Sequence, residues 1–234
     1  MNTLNRNDSL SYPIAKGVNL QPLMRQVYIW MSLGMLLTAI AAYVTVNTAL
    51  INLAANPIVL LVAVVAEFGL VLGISFGFNK ISSGTAGVLF FAYAALNGFT
   101  LSMVLLAFTT ASVFAAFVAT AALFGVMSII GYTTKVDLSK MSAYLMMGVI
   151  GLLIVMVVNL FINSGPLDLI ISMAGVLIFT ALTAYDTQRI GRMAAEMSTQ
   201  GDGVAKSGIF GALKLYLDFI NMFLFMLRLT GRRR

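Results

Sequence analysis

The sequence has no histidine and no cysteine among its 234 residues. Without histidine there can be no Ser–His dyad, no HExxH zinc helix and no imidazole pH switch. Without cysteine there are no disulfides and no thiolate sites. Charge is scarce as well: Asp, Glu, Lys and Arg make up 9% of the chain, against about 25% in a typical soluble domain. A water-soluble globular domain is thereby excluded. Any response near neutral pH must come from carboxylates or displaced lysines.

Hydrocarbon takes the place of charge. Hydrophobic residues make up 60% of the chain, in repeated runs of about 20, each able to cross roughly 30 Å of bilayer. The fold class is therefore an all-α polytopic membrane protein. Seven spans are expected, near 24–47, 57–78, 85–107, 111–132, 141–163, 167–187 and 210–230. Residues 1–22 read as a polar cytoplasmic tail and 23–234 as one transmembrane domain. The first apolar run is too long for a signal-peptide core and reads as a retained span. The longest loop expected lies near 188–209. No internal repeat is evident, which counts against an inverted-repeat transporter.

The net charge of +6 sits in loops and tails, where it orients helices, so no nucleic-acid partner is expected. Arg6, Lys16, Arg25, Lys80, Lys135, Lys140, Arg189, Arg192 and Lys206 fall on alternate loops, while the loops near 48–56, 108–111 and 164–166 have no lysine or arginine. The positive-inside rule then places the N-terminus in the cytoplasm and the C-terminus outside. Arg232, Arg233 and Arg234 oppose that assignment. A last segment that enters and returns is the alternative.

The second span carries Gly69, Gly73 and Gly77, a spacing that suits close helix packing. Glu67 lies roughly 200° around the helix from Gly69, at about 100° per residue. It also lies near mid-membrane, where a carboxylate needs a partner, water or a proton. Two further acids stand in apolar surroundings. Asp186 occurs in "GVLIFTALTAYDTQRIGR" (175–192), three residues before Arg189. Asp218 occurs in "GALKLYLDFINMFLFMLRL" (211–229), four residues after Lys214. Spans six and seven run in opposite directions, so the two carboxylates are expected at matching depth, each about one turn inside a basic residue. The bland alternative pairs Asp186 with Arg189 and Asp218 with Lys214 as interfacial acids. Asn97 and Thr100 in the third span, Asn159 in the fifth and Asn221 in the seventh add polar groups, suggesting an oxygen-lined path.

Two carboxylates a few ångströms apart in a poorly solvated site cannot both ionise easily, and the pair shares a proton. Losing it leaves two repelling charges that attract a cation. Calcium favours carboxylate and carbonyl oxygens, so Asp186 and Asp218 are candidate calcium ligands, although sodium or proton movement would suit the same residues.

The quoted spans six and seven, with "GYTTKVDLS" (131–139) and "QVYIWMSLGMLLTAI" (26–40), closely resemble the Bax inhibitor-1 (transmembrane BAX inhibitor motif) family, above all its bacterial inner-membrane branch. The resemblance runs over roughly residues 19–234. It implies a seven-helix bundle in which the last helix is surrounded by the other six, and a pH-sensitive calcium leak across the inner membrane. In such proteins an aspartate pair on the sixth and seventh helices senses protons, matching Asp186 and Asp218. An acid in the second helix, matching Glu67 by place, serves calcium passage. An arginine latch near the end of the second helix is replaced here by Phe78, leaving Lys80 as the candidate latch. Calcium is then cargo rather than cofactor, and the bilayer, calcium, protons and other membrane proteins are the expected partners.

Tyrosine–aspartate motifs on consecutive helices also occur in intramembrane aspartyl proteases. Their seventh helix has Gly-x-Gly-Asp where this chain has "LYLD" (215–218), and a later Pro-Ala-Leu element is missing because Pro166 is the last proline. No enzyme activity is therefore expected. A non-conducting regulator that binds other membrane proteins, and a cation- or proton-coupled carrier, are the remaining alternatives.

Overall fold

The computed structural model describes residues 21–77, 80–196 and 202–234. Arg6, Lys16, Phe78 and nearly all of the 1–22 tail lie outside the described residues. The helices are α1 (Gln21–Asn47), a short α2 (Leu50–Ala54), α3 (Pro57–Gly77), α4 (Ser83–Leu106), α5 (Thr110–Thr133), α6 (Ser142–Ile162), α7 (Gly165–Glu196) and α8 (Asp202–Thr230). A 3₁₀ turn, Leu138–Met141, leads into α6. Seven of these segments are long and apolar enough to cross a membrane. The chain is an all-α polytopic membrane protein.

Local chemistry sets the boundaries. Ser82 caps α4 by accepting from the Thr85 N–H, and Thr109 caps α5 by accepting from the Ser112 N–H. Pro57 opens α3, where its missing N–H costs nothing. Asn163, at φ 52°, ends α6 in the left-handed conformation that asparagine tolerates better than most residues.

α8 is the central helix. Its span is 72% buried, against at most 39% for any other span. α1, α4, α5 and α7 pack on it, while α3 lies on α4 and α6 on α7 as an outer layer. Four helices thus line α8, not six. The outward faces stay apolar because lipid, not water, meets them; Phe68, Phe76 and Phe161 are among the most exposed side chains.

Two glycines permit the closest approaches. A Cβ on Gly98 would overlap the Thr38 carbonyl oxygen of α1, and one on Gly131 would overlap the Ala184 carbonyl oxygen of α7. The Gly69–Gly73–Gly77 ridge does not behave as its spacing suggests. Gly69 and Gly73 have open space where a Cβ would stand, and Gly77 meets only Ile81. Glu67, on another face of α3, bonds to α4 and turns the glycines outward.

α7 and α8 also run further than hydropathy indicates. α7 continues to Glu196 and α8 begins at Asp202, so most of the expected 188–209 loop is helix. The extension of α7 holds the α5–α6 loop. Gln188 Nε2 donates to the Val136 carbonyl and Gln188 Oε1 accepts from the Leu138 N–H, each near 2.9 Å. Arg192 reaches Asp137 at 2.6 Å. The Ser139 hydroxyl and N–H, with Arg192, hold Asp137 down to about 2.

At the other end of the bundle α8 arrives as one unbroken helix, so a segment that enters and returns does not form. The terminus pairs with the α4–α5 turn: the Arg234 N–H donates to the Ala107 carbonyl and the Thr109 N–H to the Arg232 carbonyl. Asp168 lies 4.0 Å from Arg228 and 3.8 Å from Arg233. It offsets part of the terminal positive charge that strained the topology assignment.

Candidate functional site

The register of α7 against α8 decides what faces Asp186. Gly175 lies beneath the Phe225 ring, and Ile190 packs on Gly211. Between these contacts Asp186 comes opposite Lys214, whose Nζ is 3.2 Å from Asp186 Oδ1. In that register Asp218 is level with Thr183, about one turn or ~5 Å further along the bundle. The backbone positions of the two aspartates are therefore offset by about that turn. Helical side chains lean toward their own N-terminus, and α7 and α8 are antiparallel, so the carboxylates lean toward each other across that turn. They are close enough to feel each other's charge, and Lys214 bears on both.

Both acids are buried. Asp218 Oδ2 has no hydrogen-bond partner among the described residues, and the hydroxyl of Thr187, next to Asp186, has none either. Buried oxygens without partners are uncommon in a native fold and mark places that a proton, water or ion completes. With both carboxylates ionised, the cluster of two acids and one lysine carries a net charge of −1; a single bound proton makes it neutral.

The interfacial pairing considered as the bland alternative takes another form. Arg189 donates to the Tyr185 hydroxyl at 3.4 Å. Lys214 turns to Asp186 on the neighbouring helix rather than bonding Asp218 on its own. Lys80 does not latch the pair, because it is exposed at the end of peripheral α3. The cation on the dyad is Lys214, and spacing within α8 alone could not reveal a bond that crosses to α7.

Glu67 belongs to a second polar group, and only part of the expected set joins it. Thr100 Oγ1 donates to Glu67 Oε1 at 2.6 Å, and Asn97 Nδ2 lies 3.5 Å from Oε2. Asn97 Oδ1 accepts from the Tyr216 hydroxyl at 3.1 Å, and that hydroxyl is 2.6 Å from Thr38 Oγ1. The chain of bonds runs from α3 through α4 to α8 and ends at Thr38 of α1; its α8 member, Tyr216, is two residues before Asp218. Tyr216 and Thr38 were not singled out as site residues in the sequence. Their signal there is a hydroxyl inside an apolar span, with Tyr216 two residues from an acid.

Asn159 and Asn221 do not join this group. Asn221 donates to the Leu217 carbonyl of its own helix. Asn159 is not deep in its span: it lies in the last turn of α6 and accepts from the Ser164 N–H. With Asp168, Arg228 and Arg233 it lines a cavity of about 680 Å³ at the end of the bundle opposite the α5–α6 loop. Among the described residues no three His, Cys, Asp or Glu side chains gather. Calcium takes roughly six to eight oxygens, more than the two carboxylates of Asp186 and Asp218 supply.

Residues 20–234 match the family model described as "inhibitor of apoptosis-promoting Bax1". The chain is 42% identical over 237 residues to the inner membrane protein YbhL of Escherichia coli K12, with both chains covered in full. It is 43% identical over 211 residues to an uncharacterized protein of Borreliella burgdorferi, covering 89% of this chain and 91% of that one. To the uncharacterized membrane protein SpyM3_0260 of Streptococcus pyogenes it is 38% identical over 231 residues, covering 97% and 99%. With the family model matched over nearly the whole seven-helix bundle, the chain belongs to the Bax inhibitor-1 family.

Proposed function

We propose that the protein is a pH-sensitive calcium leak of the bacterial inner membrane, gated by protonation of Asp186 and Asp218. The observation that carries this reading is the buried pair itself: Lys214 bonds Asp186, while Asp218 Oδ2, within reach of the same charges, has no hydrogen-bond partner among the described residues. One proton neutralises the cluster and lets the aspartates hydrogen-bond, tying α7 to α8. Loss of that proton restores net negative charge. The carboxylates then repel across the α7–α8 seam, and a cation is drawn between them. Acid and calcium therefore compete for the same oxygens.

Glu67 supplies a third carboxylate near mid-membrane, and Tyr216 links it to the central helix. Movement of α8 at the dyad would pull on Asn97 and hence on Glu67, so both polar groups answer to one helix. Arg228 and Arg233 outnumber Asp168 at the far cavity, an arrangement that opposes cation passage and fits a closed conformation. The family assignment and the inner-membrane location in the name of its relative YbhL support the inner membrane as the location. The alternation of basic loops supports a cytoplasmic N-terminus.

Calcium influx into liposomes containing only the purified protein, measured from pH 5 to 8, tests the proposal. Flux that depends on protein and on pH supports a leak. Liposomes no more permeable than protein-free controls at every pH would make the protein a non-conducting regulator.

A further inference from the structure

α1 and α5 both flank α8 but barely touch each other. Between them a crevice of about 580 Å³ opens toward the bilayer, lined by Met24 and Tyr28 of α1 and by Phe124, Gly125, Ser128 and Tyr132 of α5. That volume lies within the usual range of ligand pockets, ~300–1,000 Å³. Its walls are almost wholly apolar, and Gly125 has open space where a side chain would begin. The exception is Ser128. It is buried, and its hydroxyl has no partner among the described residues. Ser128 forms part of the crevice wall.

Charge marks the same end of the crevice. Arg25 shares a face of α1 with Tyr28, three residues on, and Lys135 follows Tyr132 just past the end of α5. Both are exposed, and neither has an ion-pair partner among the described residues. Ser128 lies five residues inside the end of α5, ~7.5 Å by the helical rise. An apolar slot, one hydroxyl a short way inside and a cation at the top of each wall match the order of groups in a phospholipid: acyl chain, ester carbonyl, phosphate. Basic residues at the mouth of a cleft between membrane helices favour anionic headgroups.

We propose that the α1–α5 crevice is a binding site for one anionic phospholipid, with an acyl chain along Gly125, an ester carbonyl at Ser128 and the phosphate between Arg25 and Lys135. The lipid fills the gap where two helices of the inner ring lack mutual contact. The proposal does not depend on the gating role of the aspartates.

The test is native mass spectrometry of the full chain in detergent, titrated separately with phosphatidylglycerol and phosphatidylcholine. Each cation near a membrane surface favours an anionic lipid about fivefold, so the wild type should retain one phosphatidylglycerol with a preference of about 25-fold. Gly125→Leu fills the slot without a clash at Cβ and should weaken retention about tenfold or more. The exposed pair Arg25→Gln and Lys135→Gln should leave the fold intact and bring the two lipids to near-equal binding. Equal retention of both lipids by the wild type would overturn the proposal, as would undiminished phosphatidylglycerol binding by Gly125→Leu. A photocrosslinker at Tyr132 that captures residues 1–20 of the chain rather than lipid would overturn it too.

Discussion

Replacing Lys214 by glutamine removes the cation that faces the two buried carboxylates, and the size of the effect follows from the geometry. Nζ and Oδ1 are 3.2 Å apart; with an effective dielectric constant near 20 their attraction is about 5 kcal/mol. That figure is an upper bound, because the lysine side chain keeps 24% of its surface exposed and solvent screens it. An opposite charge at this range commonly moves a carboxylate titration by about 1–3 pH units. The native cluster is neutral with one proton, whereas the Lys214→Gln cluster needs two. Protons should therefore be held to higher pH, and the onset of calcium flux into liposomes should move to higher pH by about 1–2 units. A well-folded Lys214→Gln protein with an unmoved onset would refute the reasoning and make the lysine–aspartate contact a structural tie only.

Glu67→Gln keeps an oxygen to accept from Thr100 and loses the charge, so it should lower calcium flux while leaving thermal stability nearly unchanged; normal flux would remove Glu67 from the path. Asp137 is held at about 2 by Ser139 and Arg192, below its unfolded value near 4, so its support of the α5–α6 loop is present above about pH 4 and fades as pH falls toward 2. Asp137→Asn should therefore leave the flux–pH curve between pH 5 and 8 in place, and a shifted curve would move the proton sensor out of the bundle. Paired reporter fusions should place the N-terminus in the cytoplasm and the end after Arg234 outside; a C-terminal reporter active only in the cytoplasm would reverse the assignment.

Hydropathy alone found the seven spans, because bilayer thickness sets a length that apolar composition displays directly. The second span was expected at 57–78 and the helix is Pro57–Gly77; the fourth was expected at 111–132 and the helix is Thr110–Thr133. Where the helices leave the membrane, that signal stops and the backbone does not. Arg189, Arg192 and Glu196 end the apolar run of α7 while remaining good helix formers, and Lys206 extends α8 in the same way, with Asp202 opening that helix where an acid suits its dipole. The glycine ridge was misread because spacing identifies a face without saying what lies opposite. Glu67 had a stronger claim on the position of α3, through Thr100.

The candidate site was legible in part for a related reason. A charge in an apolar span is conspicuous, so Asp186, Asp218, Glu67 and Asn97 stood out from the sequence. Their partners depend on register between helices, which no single segment encodes. Lys214 is an i,i+4 neighbour of Asp218 in sequence, and only the packing of Gly211 on Ile190 and Gly175 beneath Phe225 carries it to Asp186. Tyr216 and Thr38 were hidden by ordinariness, since tyrosine and threonine often sit in membrane helices as packing residues.

The most direct test of the gate is a double-mutant cycle on the aspartates, read as the pH dependence of calcium flux in liposomes. Asp186→Asn and Asp218→Asn should each abolish the normal titration, and the double variant should add little, because two groups sharing one proton act as a unit. Independent effects that sum in the double variant, with each single variant still titrating, would contradict the account.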